Sequence, residues 1–313
     1  MIKYFSIFKK PLLLIIIAMG VAIYLINPNF ISGDNISNFS RQVAILSFVS
    51  CGMAFAVISG GIDLSVGSIM SCVSVVVATC MKTGTNYILA IILGIAVGTV
   101  LGLINAVIIN TTDIPPFVAT LGTMVTYGGV AYLYTDGIQV MGLSKEFMNL
   151  ASGYWFGIPL LAYFAAIAFV VSHILLESTK YGLRIRALGG KTDKIDAIGI
   201  RPKNITYIVY GYSGLMAAMA GILLTSRVLV GMPTIGVGYN LQAIATTTVG
   251  GVLLGGGYGS IPSVLQGVVL TGLISNGLNL VKVTTFWQYV ATGIIIIVAL
   301  AVNAMNKKGI TSK

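Results

Sequence analysis

A glycine break and a carboxylate interrupt an otherwise apolar sequence at Gly60-Gly61-Ile62-Asp63-Leu64-Ser65-Val66-Gly67. An acid inside a membrane segment is costly and usually faces a protein interior or a water-filled path. Paired glycines followed by Asp and Ser are typical of a broken helix, with Asp63 capping a helix that restarts at Leu64. Because lipid cannot hydrogen-bond to broken backbone, protein or a cavity must surround it. The stretch therefore predicts a multi-helix membrane protein with a functional interior.

The composition excludes a soluble globular domain. Hydrophobic residues make up 57% of the 313 residues, and charged residues only 8%. Apolar runs predict about ten transmembrane or broken helices, at 11–27, 40–59, 63–81, 86–111, 115–135, 157–176, 204–227, 240–256, 258–281 and 285–303. The run at 240–256 is shorter than the ~20 residues that a perpendicular span needs. We expect an all-α, polytopic membrane protein whose residues 1–313 form one transmembrane domain.

The net charge of +10 is concentrated in three places. Most basic residues lie before the first apolar run, after the last one, or in a central loop at about 177–203. Basic residues accumulate on the cytoplasmic side of membrane proteins. This pattern predicts that both termini and loop 177–203 are cytoplasmic and that residues 136–156 form an outer loop. Topology, rather than nucleic-acid binding, accounts for the charge.

Polar residues within the apolar runs are candidates for a solute pathway. Asp63 either caps a helix or presents hydrogen bonds to a polar solute, and both roles stay open. Asn105, Asn276 and Asn279 either bond between helices or line a path for an uncharged solute, because amides donate and accept.

Glycine spacing gives two further predictions. Gly94, Gly98 and Gly102 lie four residues apart, which predicts close helix packing on one face. The stretch from Gly60 to Ile69 is echoed from Gly250 to Ile261, and paired glycine-broken segments in two halves indicate a transport site. Whether a duplication produced this echo stays open.

The sequence predicts no catalytic residue, metal site or cofactor in this chain. Gly189-Gly190-Lys191-Thr192 imitates the end of a phosphate-binding loop, but Ile185 stands where that motif needs a glycine. His173, the only histidine, has no Cys or acidic companions at metal-ligand spacing. The chain is therefore not expected to hydrolyse ATP itself.

Several stretches resemble the permease subunits of ribose-type ABC importers, of the branched sugar-permease class. They are GGIDLSVG at 60–67, PFVATLGTM at 116–124, YGLRIRALGG at 181–190 with Gly199-Ile200, GYNLQAIATTTVGGVLLGGGYGSI at 238–261, NGLNL at 276–280 and FWQ at 286–288. The resemblance implies a type II-like importer permease in a bacterial inner membrane, surrounded by lipid. It also implies a second permease copy or paralogue, a separate ATPase that holds ATP and Mg, and a periplasmic or lipid-anchored sugar-binding protein.

The residues and the resemblance together give two candidate sites. The predicted substrate pathway contains Gly60, Gly61, Asp63, Ser65, Asn105, Phe117, Thr120, Thr123, Asn276 and Asn279. The predicted ATPase coupling loop contains Arg184, Arg186, Gly189, Gly190, Lys191 and Gly199. Many sugar permeases carry acids where this chain has Asn240 and Gln242.

The favoured function is translocation of a monosaccharide such as ribose, or of a related sugar or nucleoside-like solute, by alternating access driven by a separate ATPase. An ion- or proton-coupled secondary transporter of a small polar solute is the alternative. Proton relays usually use several intramembrane acids, whereas this sequence offers chiefly Asp63. A membrane enzyme is a third and more distant hypothesis.

Overall fold

The computed structural model describes residues 10–190 and 201–284, with further single positions between 286 and 297. Within these residues the fold contains eleven α-helices, a 3₁₀-helix at Pro28–Ile31, a π-helix at Ile174–Ser178 and one hairpin of two-residue strands. The helices are α1 (Lys10–Ile26), α2 (Gly33–Ile58), α3 (Val66–Lys82), α4 (Tyr87–Thr112), α5 (Pro116–Thr135), α6 (Lys145–Ser152), α7 (Leu160–His173), α8 (Lys180–Gly190), α9 (Pro202–Val228), α10 (Tyr239–Val249) and α11 (Ile261–Leu280). The strands are β1 (Tyr154–Trp155) and β2 (Ile158–Pro159). The all-α prediction is confirmed.

Five of the described helices are long and apolar enough to cross a membrane: α2, α4, α7 with its π-helical extension to Ser178, α9 and α11. The most apolar stretches of α2 and α9 are 83% and 78% buried, so these helices form the centre of the bundle. The corresponding stretch of α4 is only 22% buried and has the highest mean hydropathy, 2.6. Such an apolar, uncovered helix suits a lipid-facing position. The predicted polytopic membrane protein is confirmed.

Most predicted segments match a helix to within a few residues. The exception near the N-terminus is α2, which begins at Gly33 instead of residue 40. Its first turns are polar, but the Ser32 hydroxyl caps them by accepting from Asn35 N at 3.3 Å. Most of the predicted segment 285–303 lies outside the residues that the structure describes.

The predicted outer loop 136–156 is anchored to the bundle by a few buried residues, whereas most of its residues are exposed. It contains α6, whose Phe147 side chain is fully buried. The Ser226 hydroxyl near the end of α9 donates to the Phe147 carbonyl at 2.5 Å. A buried aromatic ring and a backbone contact therefore hold this segment against α9.

The predicted helix at 240–256 is shorter than expected. α10 covers Tyr239–Val249 only, which is about 16 Å of helix against a membrane core of roughly 30 Å. We call the preceding residues 230–238 the turn segment. They run alongside α3 as successive turns. Met232 N donates to Ser74 Oγ of α3 and Gly236 N donates to Ser71 Oγ, each at 3.2 Å. Pro233 lacks an N–H and Gly238 has a φ of 86°, so the chain cannot continue as helix here.

The contact between α4 and α9 confirms the predicted glycine packing. A Cβ added at Gly98 would lie 2.5 Å from Ala218 Cβ, and one at Gly102 would lie 2.2 Å from the Tyr210 carbonyl oxygen. On the facing helix, a Cβ at Gly214 would lie 2.3 Å from the Gly98 oxygen. The two backbones are therefore in direct contact, as small residues allow within membranes. This approach brings the inner part of α4 against the helix break.

Candidate functional site

The break between α2 and α3 is a glycine-terminated helix end followed by a short turn. Gly60 has a φ of 90°, and Gly61 N donates to the Ala56 carbonyl at 2.9 Å, which is a typical C-terminal helix cap. α3 then begins at Val66, two residues later than the predicted restart at Leu64. The difference arises because Leu64 and Ser65 still belong to the turn.

Asp63 holds this turn together from a fully buried position. Its Oδ1 accepts from Ser65 N at 3.0 Å and from Ser65 Oγ at 2.6 Å. Its Oδ2 accepts from Ser213 Oγ of α9 at 2.7 Å. Both carboxylate oxygens are thus occupied by donors of this chain. The arrangement supports the structural role of Asp63, since no part of its side chain is open to a solute here.

The hydrogen bonds of Asp63 continue into α4 and α5. Asn105 Nδ2 donates to Ser65 Oγ at 2.7 Å, and the Tyr127 hydroxyl lies 3.2 Å from Asn105 Oδ1. We call the residues Asp63, Ser65, Asn105, Tyr127 and Ser213 the buried polar network. Satisfied networks of this kind fix one arrangement of the surrounding helices. Tyr127 and Ser213 were not predicted from the sequence. The residues around a single hydroxyl on an apolar helix do not indicate which distant group it bonds to.

Two of the predicted pathway residues on α5 also lie at the break. Thr120 is buried, and its hydroxyl lies 2.9 Å from the Ile62 carbonyl. Thr123 is nearly buried, and its hydroxyl donates to the Thr120 carbonyl at 3.3 Å. Phe117 differs, since 47% of it is exposed. The break is therefore closed by α5 on one side, through Thr120.

Asn276 and Asn279 lie at the other end of the bundle. Asn276 and Asn35 exchange two amide hydrogen bonds, at 2.8 and 3.1 Å. Asn35 is 23 residues before Ile58 on α2, a helical distance of about 35 Å. The Asn279 amide oxygen accepts from Gln288 Nε2 at 2.7 Å. The ten predicted pathway residues thus do not form one cluster.

The predicted coupling loop begins with α8, which folds back sharply under α7. A Cβ at Gly182 would lie only 1.9 Å from the Leu176 carbonyl oxygen, so only glycine fits this reversal. Arg186 bonds to Glu177 Oε1 at 2.5 Å and to the Gly259 carbonyl at 2.6 Å. It therefore ties α8 to α7 and to the loop before α11. Arg184, half-buried, lies on α8 as well. Lys191 and Gly199 fall outside the described residues.

The end of α8 meets both glycine breaks. A Cβ at Gly189 would lie 2.0 Å from the Ile58 carbonyl oxygen and 2.9 Å from Gly256 Cα, and one at Gly256 would lie 2.8 Å from Gly60 Cα. Gly257 N donates to that Ile58 carbonyl at 2.8 Å. We call this meeting point of Gly60, Gly189 and Gly256 the glycine junction. Because packed backbones transmit strain, a displacement of α8 acts directly on both breaks.

The second break repeats the backbone of the first. Gly251 has a φ of 93°, and Val252 N donates to the Thr247 carbonyl at 3.0 Å, as Gly61 N does to Ala56. The structural match pairs Gly60 with Gly251, one residue away from the sequence echo. Similar helix ends thus close α2 and α10, and the loop that follows α10 reaches the glycine junction through Gly256.

These features define a class: a multi-pass membrane transport protein with broken helices and a polar interior. Among the described residues, no group of three or more His, Cys, Asp or Glu could hold a metal ion. The family model of the permease component of branched-chain amino acid transport systems matches residues 35–300. The chain therefore belongs to this permease family, and it is the non-catalytic membrane subunit of an ABC transporter.

Curated relatives cover nearly the whole chain. The ribose import permease of Bacillus subtilis is 40% identical over 90% of this chain and 88% of its own length. The D-allose transport permease of Escherichia coli is 35% identical over 94% of this chain and 91% of its own. The L-arabinose transport permease of Escherichia coli is 31% identical over 95% and 90%. No solved structure shows a significant match.

Proposed function

We propose that this chain is the transmembrane domain of a sugar importer and moves a neutral monosaccharide by alternating access. The single observation that carries the proposal is the glycine junction, where α8 contacts both helix breaks. The similar proteins are named for ribose, D-allose and L-arabinose. Because three sugars occur among relatives of 31–40% identity, the proposal names the class and takes ribose as its first member.

The ATP-binding partner docks on α8 in this proposal. Gly182 and Ile185 are buried on one face of α8, whereas Leu183 is 75% exposed and Tyr181 41% exposed. An exposed apolar pair flanked by Lys180 and Arg184 suits a protein surface better than water. The basic loop that contains α8 is assigned to the cytoplasm, together with both termini. ATP and Mg then belong to the partner, which supplies the energy.

The remaining partners follow from the same orientation. A sugar-binding protein, periplasmic or lipid-anchored, delivers solute at the end of the bundle opposite α8. A second permease copy or paralogue completes the complex. One face of α5 is uncovered, with Val125 68% and Leu133 80% exposed, and either lipid or the second permease covers it.

The proposed cycle uses the breaks as hinges. Closure of the ATPase moves α8, the glycine junction passes the movement to the ends of α2 and α10, and the helices around them reorient. The buried polar network holds α3, α4, α5 and α9 in register during the step. Asp63 is a positioning residue in this account. The alternative of a secondary transporter is not supported, because the family consists of permease components of transport systems.

Reconstitution with the co-purified ATP-binding subunit and binding protein tests the function. We expect uptake of radiolabelled ribose, allose or arabinose that requires hydrolysable ATP. Purification without any ATPase, together with uptake that follows an ion gradient after ATP depletion, would instead establish secondary transport.

A further inference from the structure

A cavity lined by both polar and apolar side chains lies at the end of the bundle opposite α8. Its volume is about 690 Å³, and it opens between α2, α5, α9, α10, α11 and the turn segment. Pockets of roughly 300–1,000 Å³ are typical of small-molecule sites. Gln42, on its wall, precedes Ile58 by 16 residues of α2, so this part of the wall is about 24 Å along the helix from the end of α2. It is therefore separate from the helix breaks and from α8.

The turn segment forms one wall of this cavity. Met232, Thr234, Ile235 and Val237 all line it, and the wall continues into the first turns of α10. Irregular backbone at membrane depth is tolerated only where protein buries it or where it lines a cavity. In transporters, helices interrupted in this way border the solute site. The interruption before α10 thus forms a wall of the cavity. The short apolar run at 240–256 gave no indication of this role.

The chemistry of the wall suits an uncharged polyol. Its polar side chains are two amides and four hydroxyls, from Gln42, Tyr132, Thr234, Tyr239, Gln242 and Ser275, and no lining residue carries a formal charge. In the described part of the chain, the amides of Gln42 and Gln242 form no hydrogen bond. Amides donate and accept, which matches sugar hydroxyls. A cation would find no counter-charge among the lining residues.

We infer that this cavity is the outer sugar site of the permease, in which Gln42 and Gln242 bind the hydroxyls of a neutral monosaccharide before the helices reorient. The inference rests on the proposed function and adds the place and the residues of recognition. Gln42 on α2 and Gln242 on α10 stand on the two helices that end in the two glycine breaks. A movement at the junction therefore changes the distance between the two amides.

The test compares three variants of one type: Gln42→Leu, Gln242→Leu and the control Gln266→Leu. Gln266 is a buried α11 glutamine outside the cavity, and its amide has no hydrogen-bond partner among the described residues. Each protein is reconstituted with its ATP-binding subunit and binding protein. The readouts are ATP-dependent uptake of radiolabelled ribose, allose and arabinose, and ATP hydrolysis stimulated by the binding protein.

We expect uptake to fall about tenfold in Gln42→Leu and in Gln242→Leu, since each loses a hydrogen bond to the sugar. Stimulated ATP hydrolysis stays within about twofold of the unmodified protein, because the ATPase docks at the opposite end. Gln242→Asn, which keeps an amide, retains more uptake than Gln242→Leu. Gln266→Leu transports normally.

Normal uptake in both cavity variants would overturn the inference and leave the proposed function intact. A parallel loss of uptake and ATP hydrolysis would also overturn it, because the glutamines would then be structural. If the unmodified complex takes up none of the three sugars with ATP, the proposed function itself fails, and the inference fails with it.

Discussion

Gly189 of α8 lies against the end of α2 so closely that a Cβ on it would be 2.0 Å from the Ile58 carbonyl oxygen. The same Ile58 carbonyl accepts a hydrogen bond from Gly257 N at 2.8 Å. One carbonyl group therefore lies at the contact of α8, the first break and the loop of the second break. Backbone atoms cannot move aside as flexible side chains can, so the contact is stiff. This stiffness is what the proposed coupling requires.

Gly61 is predicted to tolerate alanine only if a neighbouring hydroxyl is removed. A Cβ at Gly61 would lie 2.3 Å from the Tyr210 hydroxyl and 3.1 Å from Pro116 Cβ. We expect Gly61→Ala to lower stability by about 1–3 kcal/mol, because overpacking forces the neighbours apart. Adding Tyr210→Phe recovers more than half of the loss. Thermal unfolding in detergent of the unmodified protein, the two single variants and the double variant gives the coupling energy of this double-mutant cycle.

Tyr210→Phe alone is the control for that cycle. The Tyr210 hydroxyl has no hydrogen-bond partner among the described residues, so its removal costs little. Equal destabilisation by Gly61→Ala with and without the hydroxyl would contradict the proposed clash.

Asp63→Ala is predicted to reduce folded protein and uptake together. The change leaves the hydroxyls of Ser65 and Ser213 buried without their acceptor, at a cost of about 1–3 kcal/mol each. Asp63→Asn keeps one acceptor oxygen and loses less. Fluorescence-detected size-exclusion chromatography of membrane extracts measures the amount of folded protein, and a transport assay measures uptake per folded complex. Together they distinguish a structural role of Asp63 from a direct role in translocation. Asp63→Ala complexes that fold normally but do not transport would show a direct role in translocation.

Asn35 and Asn276 are predicted to act as a structural pair. Because they exchange two hydrogen bonds, each single alanine variant loses both, although Asn35 Nδ2 keeps its bond to the Phe30 carbonyl at 2.8 Å. The double variant therefore costs little more than one single variant. The coupling energy from thermal unfolding should be about 1 kcal/mol or more. Additive losses, or a loss of uptake without a loss of stability, would place Asn276 in the pathway as first predicted.

The sequence was sufficient to predict most of the helices and the helix break. Apolar length alone locates α1, α4, α5, α9 and α11, since a membrane demands continuous hydrophobic runs. The pairing of glycines with Asp63 and Ser65 predicts the break, because these residue types favour caps and turns. The basic stretch that contains α8 is also recognisable from its charge, and its cytoplasmic location stays a prediction.

The contacts between distant residues could not be predicted in the same way. Ser213 is 150 positions from Asp63, and nothing local to either residue indicates the other. Asn276 is a buried amide that bonds between helices, as one of its two predicted roles required, but nothing in the sequence indicates that its partner is Asn35, 241 positions away. The turn segment has the apolar composition of a membrane helix, and only Pro233 and its neighbouring glycines indicate that the helix is interrupted there. Tertiary packing decided each of these features.

The most direct test of the account compares Gly189→Ala with Gly190→Ala in the reconstituted complex, measuring sugar taken up per ATP hydrolysed. A Cβ at Gly189 collides with backbone of the junction, whereas one at Gly190, the next residue of α8, meets nothing within 4 Å. We predict that Gly189→Ala loses at least about tenfold in this ratio, and that Gly190→Ala stays near the unmodified value. Equal ratios in the two variants, with both complexes intact, would contradict coupling through the glycine junction.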